Sequence, residues 1–245
     1  MPDRSVTPLS KLPNFDPRRV PVAGVDAHLP AVPEQRLTGA ALQQRFADPP
    51  GWTPEVTLEK KFTDRQPAQA AVLVPLVMHD SGPSVLLTER TTHLSTHSGQ
   101  VAFPGGKVDE SDADAVAAAL REAHEEVGLD SRYVSVLGTL PVYVTGTAFI
   151  VTPVVALVTP GFRLQLNPGE VADAFEVPLA FLMNPAQHQH HRMRMLGIER
   201  EFLSMPWHAE GREYFIWGAT AAMLRNLYHQ LAQGRGQIAS SPQIT

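Results

Sequence analysis

The sequence has no cysteine among its 245 residues. The chain therefore forms no disulfide, offers no thiolate ligand to a metal and has no cysteine nucleophile. A protein without cysteine is compatible with a reducing compartment, so we expect this one to be cytoplasmic.

Other features are also absent. The chain has no long basic run and a net charge of −5, which argues against a nucleic-acid groove. It has no run of about 18 consecutive apolar residues, the minimum for a membrane span. The N-terminal residues MPDRSVTPLSKLPNF contain no apolar segment of the kind found in signal peptides, so we do not expect secretion.

The composition is typical of one folded domain with a polar extension. A chain of this length with 43% hydrophobic residues buries a sizeable core. Residues 1–69 are rich in proline and polar residues, and we expect an N-terminal arm with one helix at 38–47, capped by Thr38. We expect the domain to span 70–235 and to be followed by a polar tail at 236–245. The oligomeric state is left open.

Short apolar runs bounded by Gly, Pro, Asp and Ser predict strands. They lie at 70–78, 84–90, 134–144, 149–158, 201–207 and 212–218. Helices are predicted at 113–127, 178–183 and 219–232. Because the helices fall between groups of strands, we expect an α/β fold with a mixed sheet sandwiched between helices.

The run REAHEEVG, residues 121–128, places three carboxylates on one predicted helix. The apolar stripe of this helix comprises Val116, Leu120, Ala123 and Val127. Glu122, Glu125 and Glu126 form an arc centred well away from that stripe. Glu122 and Glu126 are one turn apart and can both reach one cation, whereas Arg121 can hold Glu125. Carboxylate oxygens suit Mg²⁺ or Mn²⁺, not zinc. An ordinary solvated face is the alternative.

The preceding stretch FPGGKVDESD, residues 103–112, reads as a strand end, a proline and two glycines. Gly105 and Gly106 allow a tight turn and a close approach of the backbone to a ligand. The alternative is an ordinary turn. A strand, a glycine loop and a carboxylate-lined helix together predict a site for phosphate and metal.

Residues 105–129, GGKVDESDADAVAAALREAHEEVGL, resemble the Nudix box. The match covers Arg121, Glu122, Glu125, Glu126, Gly128 and Leu129, with Ala123 at the small apolar position. In the first half, Lys107 and Ala113 occupy the positions of the usual glycine and glutamate. The nearest acid is Asp112, six residues after Gly106, as though the loop carried one extra residue. The resemblance implies an α/β/α Nudix fold and a Mg²⁺- or Mn²⁺-dependent hydrolase of a nucleoside diphosphate linked to another moiety.

Residues 86–106, LLTERTTHLSTHSGQVAFPGG, are similar to the signature that precedes the box in coenzyme A pyrophosphatases. The matching residues are Leu86, Leu87, Thr88, Arg90, Gly99, Phe103, Pro104, Gly105 and Gly106. Thr91 and Ser95 depart from it, while the longer box loop is usual in this branch. The resemblance implies cleavage of coenzyme A, and possible cleavage of acyl-CoA, into 3′,5′-ADP and 4′-phosphopantetheine. Alternative substrates are ADP-ribose, NADH or an oxidised nucleotide, and a non-catalytic nucleotide-sensing module is an alternative of another class.

By this resemblance, Glu122 and Glu126 are the first-choice metal ligands, and the Gly106 carbonyl completes the set. Glu125 either shares a second ion or acts as the general base. The other candidate base is Glu170 in LNPGEVADAF, residues 166–175. A glutamate that merely begins a helix is the alternative for Glu170.

Five residues are candidates for binding substrate: Arg90, Gly99, Phe103, Gly105 and Lys107. The planar guanidinium of Arg90 suits a phosphate, although an ordinary surface arginine is the alternative. Phe103 and the aromatic residues of YFIW, 214–217, fit the core better than an adenine site. The histidine-rich run HQHH, 188–191, resembles a metal site in composition only, and we expect an exposed loop.

Overall fold

The computed structural model describes residues 15–59, 65–91, 99–195 and 198–233. Within these ranges the strands are β1 (Val22–Val25), β2 (Ala68–His79), β3 (Gly82–Arg90), β4 (Val101–Ala102), β5 (Gly105–Lys107), β6 (Val134–Thr139), β7 (Tyr143–Val144), β8 (Phe149–Val158), β9 (Val171–Pro178), β10 (Gln189–Met195), β11 (Ile198–Ala209) and β12 (Arg212–Trp217). The helices are α1 (Gly39–Ala47), α2 (Ala115–Val127), α3 (Leu179–Leu182) and α4 (Gly218–Ala232). None of these described helices is long and apolar enough to cross a membrane.

The strands form two sheets. The larger sheet has the order β4-β3-β2-β8-β6, with β5 paired to β2, β7 to β8 and β9 to β3. Strands β2 and β8 are parallel, and the other pairs in this sheet are antiparallel. The predicted mixed sheet in an α/β fold is therefore confirmed. A second sheet of antiparallel strands has the order β1-β10-β11-β12, and the sequence did not predict it as a separate sheet.

The central strand β2 is buried on both faces, which explains why it reads as a continuous apolar run. Leu73 and Val77 pack in a core cluster that includes the buried face of α2. Val74 and Leu76 belong to a larger cluster on the opposite face, which includes residues of α4 and of β11. Because β2 is held from both sides, its neighbours β3 and β5 occupy fixed positions next to α2.

The four predicted helices are confirmed, with ends that differ by a few residues. The Thr38 hydroxyl caps α1 by accepting a hydrogen bond from the Ala41 N–H at 3.3 Å. The single strand predicted at 134–144 is wrong, because the chain forms two strands there, β6 and β7, which both pair with β8. The register of β6 shifts between Val136 and Gly138, whose φ of 154° accommodates the irregularity.

The exposed loop predicted for HQHH is also wrong. This run leads into β10. His188, just before the strand, is fully buried, and His191 within the strand is 2% exposed. The His191 ring stacks on Phe202 at 4.7 Å and lies 2.8 Å from the Ser204 hydroxyl. Strand β10 lies between β1 and β11, an arrangement that composition alone does not reveal.

Residues of the N-terminal segment contact β10 and α4. Strand β1 pairs with β10, and the buried guanidinium of Arg225 on α4 lies 2.9 Å from Asp26 and 2.8 Å from Glu55. A third nitrogen of Arg225 donates to His188 Nδ1 at 2.9 Å. One arginine therefore connects two acidic residues of the N-terminal segment to α4 and to the start of β10.

We predict a stability effect from His188. Since arginine only donates, Nδ1 of His188 accepts, and its Nε2 donates to the Leu182 carbonyl at 2.8 Å. Burial, the largest cause, together with the Arg225 charge lowers the pKa of His188 from 6.5 to about 4. Between these values the unfolded chain binds the extra proton, so the free energy of unfolding falls as pH decreases from 6.5 to about 4.

Urea titrations between pH 7.5 and 4.5 measure this effect. Wild type should lose up to about 2 kcal/mol over that range through this group, and His188→Gln should show a flatter dependence. The matched control is His208→Gln, since His208 is exposed, and it should behave as wild type. An unchanged slope in His188→Gln would contradict the assignment.

Candidate metal and phosphate site

Helix α2 is fixed at both ends and packs closely on the larger sheet. The Asp114 carboxylate accepts from the Ala117 N–H at 2.8 Å, and Gly128 ends the helix with a φ of 69°. The buried apolar residues of α2 are Ala118, Ala119, Ala123 and Val127. Val116 and Leu120, which the sequence placed in the apolar stripe, are only partly buried. Small alanine side chains therefore make most of the contact with β2.

Glu126 is buried with 2% exposure, although the sequence placed it on an arc away from the core. Its Oε2 accepts a hydrogen bond from the Gly105 N–H at 3.1 Å. Its Oε1 lies 3.5 Å from Nη1 of Arg90, the last residue of β3. Glu126 is next to Val127 on the helix and lies at the border of the buried face. The expected position was wrong for this glutamate.

Three carboxyl groups interact at this border. Burial raises the pKa of Glu126 to about 7, against the opposing effects of the Gly105 N–H and Arg90. Burial also raises the pKa of Glu122. The carboxyl of Glu170 raises both values, so it lies within electrostatic range of both groups. Adding a cation here would offset both the repulsion and part of the cost of burying charge.

The two glycines of the FPGG stretch are required by close contacts. A Cβ on Gly105 would lie 2.6 Å from Val72 Cα on the paired strand. A Cβ on Gly106 would lie 2.5–2.7 Å from the carboxyl atoms of Glu122. A side chain at Gly106 would therefore occupy the space of the Glu122 carboxylate.

Arg121 organises the exposed side of the site. Its Nε and Nη2 donate to the Asp112 carboxylate at 3.0 and 2.8 Å, and its Nη1 lies 3.0 Å from both Glu122 and Glu125. Nη2 also donates to the Lys107 carbonyl at 3.1 Å. These hydrogen bonds lower the pKa of Asp112 and raise that of Arg121. Asp112 thus pairs with the arginine despite the extra loop residue.

The donor set fits a hard divalent cation in its chemistry. Carboxylate oxygens of Glu122 and Glu126 lie near the Gly105–Gly106 backbone, and such oxygens suit Mg²⁺ or Mn²⁺. In the described part of the chain, no three His, Asp or Glu side chains already converge as a metal cluster. Glu122 and Glu125 each direct one oxygen to Arg121.

Glu170 lies in the turn before β9, next to α2. Its Oε1 accepts from the Asn167 side-chain amide at 3.1 Å, and its backbone carbonyl accepts from the Thr91 N–H at 3.0 Å. The Asn167 N–H in turn donates to the Glu126 carbonyl at 2.9 Å. A strand follows Glu170, so the alternative of a helix-start glutamate is wrong. The sequence did not single out Asn167, which connects Glu170 to the helix end.

Within residues 86–106, the structure describes 86–91 and 99–106. Arg90 is partly exposed and contacts Glu126. The Gly99 N–H donates to the Arg90 carbonyl at 3.1 Å, and Gly99 has a φ of 66°. The departure from the signature at Ser95 lies outside the described residues. Within the described residues, Gly99 therefore contacts the backbone of Arg90.

The remaining substrate-binding candidates differ in exposure. Lys107 is exposed at the end of β5. Phe103 is 3% exposed and packs in the larger core cluster, so it is a core residue and not a surface for substrate. The Gly105 N–H already donates to Glu126. Tyr214 stacks on Phe175 at 3.7 Å, and Phe215 is buried.

Comparison with known proteins places this geometry in context. The family model of the NUDIX domain matches residues 67–196. The uncharacterized Nudix hydrolase NudL of Escherichia coli (strain K12) is 44% identical over 164 residues, covering 66% of this chain and 82% of that protein. The protein of the same description from Enterobacter sp. (strain 638) is 42% identical over 163 residues, with the same coverage. The crystal structure of the Nudix hydrolase RenU from M. smegmatis is 27% identical, covers 47% of this chain and 73% of that chain, and has a TM-score of 0.40.

We predict that Glu126→Gln stabilises the metal-free protein. The amide oxygen still accepts from Gly105, but the buried charge is removed. Because burial raises the pKa of Glu126 from 4.5 to about 7, the unfolded chain loses this proton first, and stability falls as pH rises through that window. In EDTA at pH 8, urea titration should give the variant a free energy of unfolding higher by about 1 kcal/mol or more.

A second measurement on Glu126→Gln compares melting temperatures with and without Mg²⁺. Mg²⁺ should raise the melting temperature of wild type, since binding to the folded state stabilises it, and should raise that of Glu126→Gln much less. Glu110→Gln is the matched control, because Glu110 is exposed in the preceding loop. The assignment of Glu126 as a metal ligand is contradicted if Glu126→Gln is no more stable than wild type in EDTA. It is also contradicted if Mg²⁺ raises the melting temperature of the variant as much as that of wild type.

Proposed function

Because this chain belongs to the Nudix hydrolase family, we propose that its substrate is coenzyme A, cleaved at the diphosphate into 3′,5′-ADP and 4′-phosphopantetheine. Cleavage of a phosphoric anhydride is the activity of the family, and the choice of coenzyme A is our proposal. One observation carries it. The two ends of the 86–106 signature meet at one carboxylate, since Arg90 and the Gly105 N–H both contact Glu126.

We propose that Glu122, Glu126 and the Gly106 carbonyl hold Mg²⁺ or Mn²⁺, with Glu125 available to a second ion. The raised pKa values of Glu122 and Glu126 support this, because crowded carboxyl groups in a low-dielectric place gain most from a cation. When bound, the ion would neutralise charge that develops on the diphosphate and lower the pKa of a bound water.

The chain's own side chains perform the remaining tasks. Arg121 is a positioning residue, because its fork holds Glu122 and Glu125 against Asp112. We propose that Arg90 binds a substrate phosphate. Its partial exposure supports this, as does its contact with Glu126, which at 3.5 Å is long for a charged hydrogen bond. Lys107, exposed at the end of β5, is available to a more distant phosphate.

For the general base we favour Glu170 over Glu125. Glu125 lies 3.0 Å from the Arg121 guanidinium, and its side chain is 53% exposed, so it is ion-paired on the outer side of the site. Glu170 has one oxygen held by Asn167, and its position is fixed by backbone bonds at both neighbouring segments. A base held in place by its surroundings loses less on reaching the reactive geometry.

The domain limits and location are further proposals. We assign the reaction to a domain at 70–235, with 1–69 as an N-terminal arm and 236–245 as a tail, and we place it in the cytoplasm because the chain lacks cysteine.

We predict a preference for coenzyme A that depends on Arg90. The protein with Mg²⁺ is incubated with coenzyme A, an acyl-CoA, NADH and ADP-ribose, and the products are identified by mass spectrometry. Coenzyme A should have the highest kcat/KM. Arg90→Ala should lower it about tenfold or more, the loss of roughly one charged hydrogen bond, with a smaller effect on ADP-ribose.

Arg192→Ala is the control, since Arg192 lies on β10 and pairs with Glu201. Equal losses on both substrates would assign Arg90 to the common diphosphate or to Glu126. Preferred turnover of NADH or ADP-ribose would replace coenzyme A as the substrate, and binding without any turnover would favour a nucleotide-sensing module.

We predict that Glu170→Gln lowers kcat by about 10²–10⁴, the range for a lost general base, while Mg²⁺ affinity is kept. The Gln side chain retains the hydrogen bond to Asn167 by its carbonyl oxygen. Glu125→Gln should have a smaller effect on kcat. The measurements are kcat as a function of pH and the Mg²⁺-induced shift of melting temperature. If Glu170→Gln stays near wild type and Glu125→Gln loses the acidic limb of the pH profile, the base lies on α2.

A further inference from the structure

A second cleft lies at the C-terminal end of α2. It has a volume of about 360 Å³ and is formed where the end of α2 meets residues 128–133 and 161–165. Its wall includes none of the residues assigned above to metal, base or substrate. It is therefore a separate surface of the molecule, although it shares a helix with the proposed active site.

Two aromatic rings form one part of this cleft. Tyr133 and Phe162 pack edge to face with centroids 6.2 Å apart, and the Arg132 guanidinium lies 5.0 Å from the centroid of Tyr133. Both rings are only partly buried. A planar aromatic ligand gains from contact with such rings and from stacking on a guanidinium plane.

The cleft is also cationic, in a chain with a net charge of −5. It contains Arg132 and Arg163 and one carboxylate, Asp130. Asp130 lies 3.3 Å from Arg132, whereas Arg163 has no ion-pair partner within the described residues. Within the described residues, the positive charge of Arg163 is therefore available to a ligand, and the planar guanidinium of an arginine suits a phosphate.

The end of a helix disfavours anions through its exposed carbonyls. Here that effect is reduced, because the last carbonyls of α2 accept from backbone N–H groups. Val127 O accepts from Gln165 at 2.9 Å and Glu126 O from Asn167 at 2.9 Å, while His124 O accepts from Gly128 at 2.9 Å. The arginine side chains therefore dominate the electrostatics of the cleft.

The floor of the cleft is built by close backbone contact. A Cβ on Gly128 would lie 3.0 Å from both the backbone N and the Cβ of Gln165. Since the two segments touch and are joined by a hydrogen bond, the cleft keeps its shape without a ligand.

We propose that this cleft binds a mononucleotide, with the base against Tyr133 and Arg132 and the phosphate on Arg163. The volume favours a small ligand, since small-molecule sites range from about 300 to 1,000 Å³. One base, one sugar and one phosphate match a cleft at the low end of that range. The site does not depend on which diphosphate the enzyme hydrolyses.

Isothermal titration calorimetry of the full chain in EDTA tests the proposal, because the metal-dependent site is then without its cation. The probes are AMP, adenosine, ribose 5-phosphate and inorganic phosphate, and AMP should bind tightest. Arg163→Ala should weaken AMP binding about tenfold or more, the loss of roughly one charged hydrogen bond. Tyr133→Leu should weaken AMP and adenosine but leave ribose 5-phosphate unchanged.

Two controls keep the test specific. Arg192→Ala removes an arginine from the second sheet and should bind AMP as wild type does. Thermal melts confirm that each variant is folded, and Tyr133→Phe keeps the ring if Tyr133→Leu does not fold. The proposal is overturned if AMP does not bind wild type, if inorganic phosphate binds as tightly as AMP, or if AMP binding survives both Arg163→Ala and the loss of the ring.

Discussion

The burial of Glu126 is the constraint on which the site depends. A carboxyl group with 2% exposure is unfavourable when ionised unless neighbouring groups compensate for the lost water. Among the described residues, the groups that offset its charge are one backbone N–H and a guanidinium 3.5 Å away, and burial still raises the pKa of this carboxyl to about 7. The fold therefore leaves the negative charge of the ionised Glu126 incompletely compensated. A divalent cation or a cationic group of a ligand complex would compensate it.

The surrounding sequence follows from that constraint. Alanines on the buried face of α2 bring the helix close to β2, and Gly105 and Gly106 bring β5 close enough to donate to Glu126 and to leave room for Glu122. Larger side chains at any of these positions would separate the helix from the sheet. Arg121 then balances the carboxylates of Glu122 and Glu125 without contacting Glu126, so the buried carboxylate of Glu126 remains the least compensated of the group.

Local patterns predicted much of this arrangement. Helical periodicity gave α2 and its glutamates, and apolar runs gave the strands of the mixed sheet. Periodicity did not reveal that Glu126 is buried, because it defines a direction around the helix axis but not where the neighbouring strands end. The pairing of Arg121 with Asp112 depends on the path of an irregular loop. The second sheet includes the non-local pairing of β1 with β10, in which Val22 lies opposite His191. His188 precedes that strand and is buried against Arg225 and Tyr228 of α4, so both burials come from contacts between residues far apart in the sequence.

Residues 161–170 connect the cationic cleft to the proposed active site. The first residues of this segment line the cationic cleft, and its last residue is Glu170. In between, Gln165 and Asn167 donate to consecutive carbonyls at the end of α2, so the segment follows the helix that carries Glu122 and Glu126. Glu170 is therefore positioned relative to the buried carboxylate by backbone hydrogen bonds and not by its own side chain alone. Since backbone bonds of this kind do not depend on side-chain identity, the position of Glu170 relative to Glu126 follows from the path of the backbone, and at Gly128 that path requires a glycine.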